Sequence, residues 1–151
     1  MHSRGVAHRD LKLENIIVNK KGHLKIIDLG FSVEVPEESS SLGKIEPQTF
    51  CGTLHFAAPE ILARQPHCPK KADIWSLGVV LYRILVGALP FAANDEITQL
   101  QCTRRGEFKR PKNISENCFK LLEAMLQPKP TKRQSASEVA CSLTKAVGFC
   151  L

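Results

Sequence analysis

The stretch from Ala72 to Val86 constrains this chain more than any other. Its apolar residues fall on nearly every side of a helix, so it reads as a central helix that its neighbours must bury. The wider apolar run, Ile74 to Phe91, contains Ser76, Arg83, Gly87 and Pro90. It is short against the roughly 20 apolar residues of a membrane span, so a core helix is expected and no membrane segment. Such a helix must be wrapped. With 151 residues, 43% hydrophobic and 24% charged, the chain has enough material for one domain with a real core. That composition excludes disorder along the whole chain.

The elements around the helix can be read in order. Met1 to Arg4 reads as the tail of a helix stopped by Gly5. Ile16 to Val18 and Leu24 to Ile27 read as two short strands joined by a turn over Asn19 to His23, hence a hairpin. Glu34, Pro36, Glu37, Glu38, the serines 39–41, Gly43 and Pro47 mark a long polar loop. A loop of that length in a compact domain usually has a function. Pro59 suits the first turn of a short helix. Asn94 is the expected cap of the helix after Leu89-Pro90, with Asp95 and Glu96 in its first turn and Ile97 and Leu100 opening its apolar face.

The next helix has a clearer signature. Ser115 caps it, and Ile114 and Phe119 stand at hydrophobic-staple positions. Cys118, Leu121, Leu122, Met125 and Leu126 form one stripe at helical spacing, ended by Pro128 and Pro130. Ser135 and Glu138 have capping-box spacing at the start of a last helix faced by Val139, Leu143 and Ala146. Pattern alone therefore gives a small hairpin, a long loop and four or five helices: a mostly α domain.

Charge and cysteines exclude more than they assign. Lysine plus arginine total 21 against 15 acids, giving +6. The positive charge is scattered, and its densest cluster (Lys109, Arg110, Lys112) has no interleaved aromatics for stacking on bases. No nucleic-acid partner is expected. The six cysteines, at 51, 68, 102, 118, 141 and 150, make no C-x-x-C pair and no zinc-finger spacing with histidine. Residues 1–10 are polar and lack the apolar core of a leader peptide. Reduced thiols in an intracellular, cytoplasmic protein are the expectation, with the nucleus left open. Cys51 is the thiol to check for reactivity, because it stands on the loop.

The chemistry is concentrated in His8-Arg9-Asp10-Leu11-Lys12-Leu13-Glu14-Asn15, which matches the pattern H-R-D-L-x-x-x-N. Thirteen residues after Asn15 comes Asp28-Leu29-Gly30, preceded by a strand. Thirty residues after Asp28 comes Ala58-Pro59-Glu60. In that order and at that spacing, these motifs resemble the C-terminal lobe of a eukaryotic serine/threonine protein kinase. They stand for the catalytic loop, the D-F-G motif with Leu29 in place of phenylalanine, and the A-P-E motif. The expected fold is therefore the protein-kinase fold reduced to its helical lobe, residues 1–151 being a partial kinase domain. Residues 28–60 would be its activation segment.

The resemblance implies roles. Asp10 would accept or orient the proton of a substrate hydroxyl, and Lys12 would offset the charge of the transferred phosphoryl group. Lysine two places after the aspartate is the serine/threonine version. Asn15 and Asp28 would hold magnesium, with Mg-ATP as cofactor. Thr49-Phe50-Cys51-Gly52-Thr53 resembles a signature of the calcium/calmodulin-dependent-kinase-like group, in the branch of AMP-activated-kinase relatives or of sperm motility kinases. Thr49 would then be a phosphosite for an upstream activating kinase, with Arg9 as partner of the phosphate, and Thr53 would line the substrate pocket. Asp73, in Asp73-Ile74-Trp75-Ser76-Leu77-Gly78, would support the catalytic-loop backbone. Arg133, in Pro130-Thr131-Lys132-Arg133, would pair with Glu60. These three residues serve the fold rather than the chemistry. Gln134 departs from a common proline, and the ending H-P-W-[IV] is absent, so the last helix is expected to pack loosely. His2, His23, His55 and His67 read as ordinary surface or loop histidines.

A kinase also needs a glycine-rich loop over the phosphates and a strand lysine. Only seven residues precede His8, and neither feature is among the 151. Little or no catalysis is expected from the chain alone. Two readings of function follow. One is a kinase lobe that transfers the γ-phosphate of ATP to serine or threonine hydroxyls of protein substrates. The other is a non-catalytic module or relic that binds substrates or regulators.

Overall fold

The computed structural model describes residues 1–35, 52–112 and 114–147. Pro36 to Gly43, Pro47 and the segment Thr49 to Cys51 lie outside the described residues, as do Cys150 and the side chain of Ala146.

A single 3₁₀ turn, His2–Arg4, opens the chain and is stopped by Gly5 at φ 73. Strand β1 (Val6–Ala7) follows, then the catalytic-loop motif, then the hairpin of β2 (Ile16–Val18) and β3 (Leu24–Ile26). The hairpin register pairs Ile16 with Ile26, Ile17 with Lys25 and Val18 with Leu24. Its turn is closed by Asn19, whose side chain accepts from the backbone of Lys21 and His23, with Gly22 at φ 81. Strand β4 (Val33–Glu34) returns to pair antiparallel with β1. Sequence pattern had put Glu34 in the polar loop. The correction has a simple cause: two residue pairs are too few to show a period.

Five helices complete the described fold: α1 (Pro59–Leu62), α2 (Pro69–Val86), α3 (Glu96–Arg105), α4 (Glu116–Met125) and α5 (Ala136–Val147). Helix α2 is the axis. Trp75 and Val79 are fully buried in one cluster with Phe56, Ala58, Ala72, Val80, Phe91 and Leu126. Ile74 packs on the other side with Leu121, Met125 and Val139. Each fully buried large apolar side chain contributes roughly 1.5–3 kcal/mol. Helix α4 crosses α2 at Gly78, where a Cβ would stand 3.0 Å from Met125 and Leu126. Close packing of the two backbones therefore excludes a larger residue there. The last turn of α2 departs from the expected all-round burial: Ile84, Leu85 and Val86 are 63%, 40% and 40% exposed. The core has run out of covering elements at that end.

Two caps stand as read and one moves. Ser115 accepts from the Cys118 backbone, and Ser135 and Glu138 bond reciprocally, the Ser135 N–H donating to Glu138 Oε2 at 2.6 Å. Helix α3 is capped by Asp95, not Asn94, because the Asp95 carboxylate takes both the backbone N–H and the hydroxyl of Thr98, each at 2.8 Å. These two bonds hold the Asp95 carboxyl below the usual carboxylate range. The apolar face of α3 is also corrected. Ile97 is 73% exposed, while Gln99 and Thr103 are fully buried. On α5, Val139 is buried and Leu143 is 41% exposed.

Candidate active site

The site is built outward from Asp73 on the first turns of α2. That side chain is 1% exposed. Its Oδ2 accepts from the His8 backbone at 2.7 Å and stands 2.8 Å from His2 Nε2; its Oδ1 accepts from the Arg9 backbone at 2.8 Å. Two backbone donors separated from Asp73 by more than sixty residues are thus clamped to the central helix. The clamp holds Arg9 at φ 71, a conformation that residues with side chains seldom adopt. His8 tightens the same loop. Its Nδ1 accepts from the Asp10 backbone at 3.2 Å while Nε2 faces the Ile27 carbonyl at 3.0 Å. Those partners assign the ring hydrogen to Nε2.

The result is a cluster around the Asp10 carboxylate. Its Oδ2 lies 2.7 Å from Lys12 Nζ and 3.3 Å from Asn15 Nδ2, and its Oδ1 is 3.4 Å from the Thr53 hydroxyl. Lys12 Nζ also reaches the Thr53 hydroxyl at 3.3 Å, and Asn15 Nδ2 donates to the Asp10 carbonyl at 2.9 Å. Asp10 and Asn15 are both 5% exposed. The Lys12 ammonium is pushed above its ordinary range, chiefly by its hydrogen bond to Asp10, against a smaller opposing effect of burial. Thr53 comes from far along the chain. It precedes a 3₁₀ turn, Leu54–Phe56, that is fixed by the buried Phe56 ring and by the Ser76 hydroxyl donating to the Phe56 carbonyl at 2.8 Å.

Asp28 lies at the open edge of this cluster. The Ile27 N–H donates to the Asn15 carbonyl at 3.0 Å, which ties the segment before Asp28 to Asn15. Asp28 is exposed, at φ 63, with Oδ1 accepting from the Gly30 N–H at 3.3 Å. Among the described residues no group of three or more His, Cys, Asp or Glu could hold a metal by itself. The donor set nevertheless suits magnesium. Asn15 spends its amide donor on Asp10, which leaves its carbonyl oxygen for a cation, and Asp28 adds a carboxylate. One or two hard oxygen ligands, completed by water and substrate phosphates, is how magnesium is commonly held.

The remaining expected residues fall as follows. Arg133, 1% exposed, grips Glu60 through two bonds of 2.7 and 3.1 Å. It also donates to the carbonyls of Lys71 and Gln127 and lies over the Trp75 ring. This pair locks α1 to the segment before α5, at a distance from Asp10. Thr49 lies outside the described residues, so its pairing with Arg9 is not described. Two histidines correct the surface reading. His2 is the third partner of Asp73, and His55 Nδ1 is buried with no hydrogen-bond partner among the described residues. Nothing in a local pattern marks His2, because its contact spans 71 positions.

The comparisons agree with this architecture. Residues 1–143 match the family model of the protein kinase domain. The chain is 43% identical over 138 residues to CBL-interacting serine/threonine-protein kinase 13 of Arabidopsis thaliana, covering 91% of this chain and 27% of that protein. It is 40% identical over 139 residues to protein kinase kin1 of Schizosaccharomyces pombe, covering 92% of this chain and 15% of that protein. It is 39% identical over 141 residues to testis-specific serine/threonine-protein kinase 2 of Mus musculus, covering 91% and 39%. The chain therefore spans well under half the length of these relatives. Among the described residues no helix is long and apolar enough to cross a membrane. With the family model covering nearly the whole chain and the serine/threonine kinases aligning across it, this chain belongs to the protein kinase family.

Proposed function

We propose that this chain forms the acceptor side of a serine/threonine protein kinase site and serves transfer of the γ-phosphate of Mg-ATP to serine or threonine hydroxyls of proteins. The observation that carries the reading is the buried Asp10 carboxylate ringed by Lys12, Asn15 and Thr53. A substrate hydroxyl entering beside Thr53 would meet Asp10, which orients it and takes up its proton. Lys12 would offset the negative charge of the phosphoryl group as the hydroxyl oxygen bonds to phosphorus and the bond to the leaving oxygen breaks. Phosphoryl transfer relies mainly on such positioning and charge stabilisation. Asn15 and Asp28 would hold magnesium. When bound, Mg-ATP supplies the phosphoryl group and neutralises part of its charge.

Residues 28–60 act as the activation segment in this reading. Thr49 is its phosphosite for an upstream kinase, and Arg9 is the cation for the phosphate. A phosphate brings about −1.5 to −2 charges, enough to order such a segment. Glu60, Arg133 and Asp73 keep structural roles. The open position of Asp28 implies that phosphates held there would stand in water, where charge contacts are weak. The chain alone is therefore expected to transfer little phosphate, and a glycine-rich lobe would complete the site.

A second reading, a binding module for substrates or regulators, draws support from the exposed apolar hairpin, where Val18 and Leu24 are 63% and 71% exposed. Phosphate transfer by the chain joined to a kinase glycine-rich lobe, with Mg-ATP and a generic serine/threonine substrate against an Asp10→Ala control, separates the two. Transfer removed by Asp10→Ala supports the enzyme. No transfer in either, from folded joined protein that binds ATP, supports the module.

A further inference from the structure

We propose that Gly52 is a positioning residue: its lack of a side chain, at a backbone angle only glycine tolerates, lets the Thr53 hydroxyl reach Asp10 and Lys12. The inference rests on the proposed role of Asp10, but its geometry stands apart from any activity. Gly52 has φ 108, outside both the ordinary and the left-handed helical regions for residues with a Cβ. A Cβ there would stand 3.3 Å from the Arg9 carbonyl and 3.4 Å from Asp10 Oδ1.

Neither neighbour can retreat easily. Arg9 is clamped at φ 71 by Asp73, and Asp10 is fixed by Lys12 and Asn15. The Gly52 backbone must therefore move instead, and Thr53 is the next residue. Its two contacts, 3.4 Å to Asp10 and 3.3 Å to Lys12, are already at the long end of hydrogen bonding and have no slack. A substitution at Gly52 thus opens the cluster on its Thr53 side while leaving the loop clamp in place.

Gly87 supplies the control. It also has positive φ, at 75, but a Cβ there would meet nothing within 4 Å. Gly87→Ala adds backbone strain without touching the cluster.

The test is nuclear magnetic resonance of the full 151-residue chain, reading the Lys12 side-chain ammonium signal (assigned by its loss in Lys12→Arg) and the Thr53 methyl shift. The ammonium signal survives solvent exchange only while hydrogen bonds hold the group. In Gly52→Ala the Lys12 signal should broaden away and the Thr53 methyl should move toward the position of an exposed threonine. Both should stay at wild-type positions in Gly87→Ala. Should Gly52→Ala fail to fold, Gly52→Asn decides, because asparagine tolerates positive φ better yet carries the same Cβ. A folded Gly52 variant with both wild-type signals would overturn the proposal, as would a wild-type chain with no held Lys12 ammonium. Absence of phosphate transfer by the wild-type chain joined to a glycine-rich lobe would overturn the proposed function alone.

Discussion

The catalytic loop and the hairpin that follows it are neighbours in sequence and opposites in construction. From His8 to Asn15 the chain is pinned inward, with His8, Asp10, Leu11 and Asn15 buried and the backbone of His8 and Arg9 tied to Asp73 on the central helix. From Ile17 to Phe31 the apolar side chains point outward: Ile17, Val18, Leu24, Ile26, Ile27, Leu29 and Phe31 are all exposed. One half of the proposed site is assembled by the lobe's own core. The other half, where Asp28 stands, has no core beneath it. In the proposed function, acceptor positioning would come from this chain's own core, and phosphate binding would depend on cover.

The largest effects should come from the buried charges behind the loop. Glu60→Ala leaves the Arg133 guanidinium buried without its carboxylate, a loss of about 3–5 kcal/mol by chemical denaturation. Replacing both, Glu60→Leu with Arg133→Met, should cost less than the single change, since no lone charge remains. Asp73→Ala removes the acceptor of two backbone donors, one buried and one half-buried, at roughly 1.5–3 kcal/mol each. It should also speed amide exchange at His8 and Arg9 while leaving the hairpin amides unchanged. Equal acceleration in both regions would erase the contrast between them.

Smaller effects sharpen it. Ser135→Ala removes a helix cap that makes no bond to the Asp10 cluster and should cost about 1 kcal/mol with no change at Asp10. The Lys12–Asp10 pair gives a pH signature. Because the Lys12 pKa is raised in the folded state, its stabilisation is fully present below its ordinary value of 10.5 and is lost as pH rises through the higher folded value. Asp10→Asn should therefore lower stability at neutral pH, and the difference from wild type should shrink at strongly alkaline pH. Leu24→Lys on the exposed hairpin should change stability by less than about 0.5 kcal/mol. It should reduce self-association measured by sedimentation, because it breaks an exposed apolar patch.

How much could be read without coordinates followed the range of each interaction. The stripe of α4, the capping box at Ser135 and the hairpin turn at Asn19 are local, and local spacing reveals them. The motif residues Asp10, Lys12 and Asn15 lie within six positions, so their pattern is visible; the approach of Asp10 and Lys12 to Thr53, more than forty residues away, follows only from the family resemblance. The β1–β4 pairing and the His2–Asp73 contact have no local signature at all. On α3 the pattern misled. Ile97 was expected inside, yet α3 turns Gln99 and Thr103 toward the core, so tertiary packing overrode hydropathy there.

Under the proposed function, this chain would supply the acceptor half of the site and a glycine-rich lobe would complete the phosphate half. The most direct measurement is phosphate transfer from Mg-ATP to a serine/threonine peptide by residues 1–151 alone and joined to a kinase glycine-rich lobe, each with and without Asp10→Ala. Strong transfer is expected only in the joined protein, abolished by Asp10→Ala. A folded, ATP-binding joined protein that transfers nothing, or whose transfer survives Asp10→Ala, would contradict the proposed function.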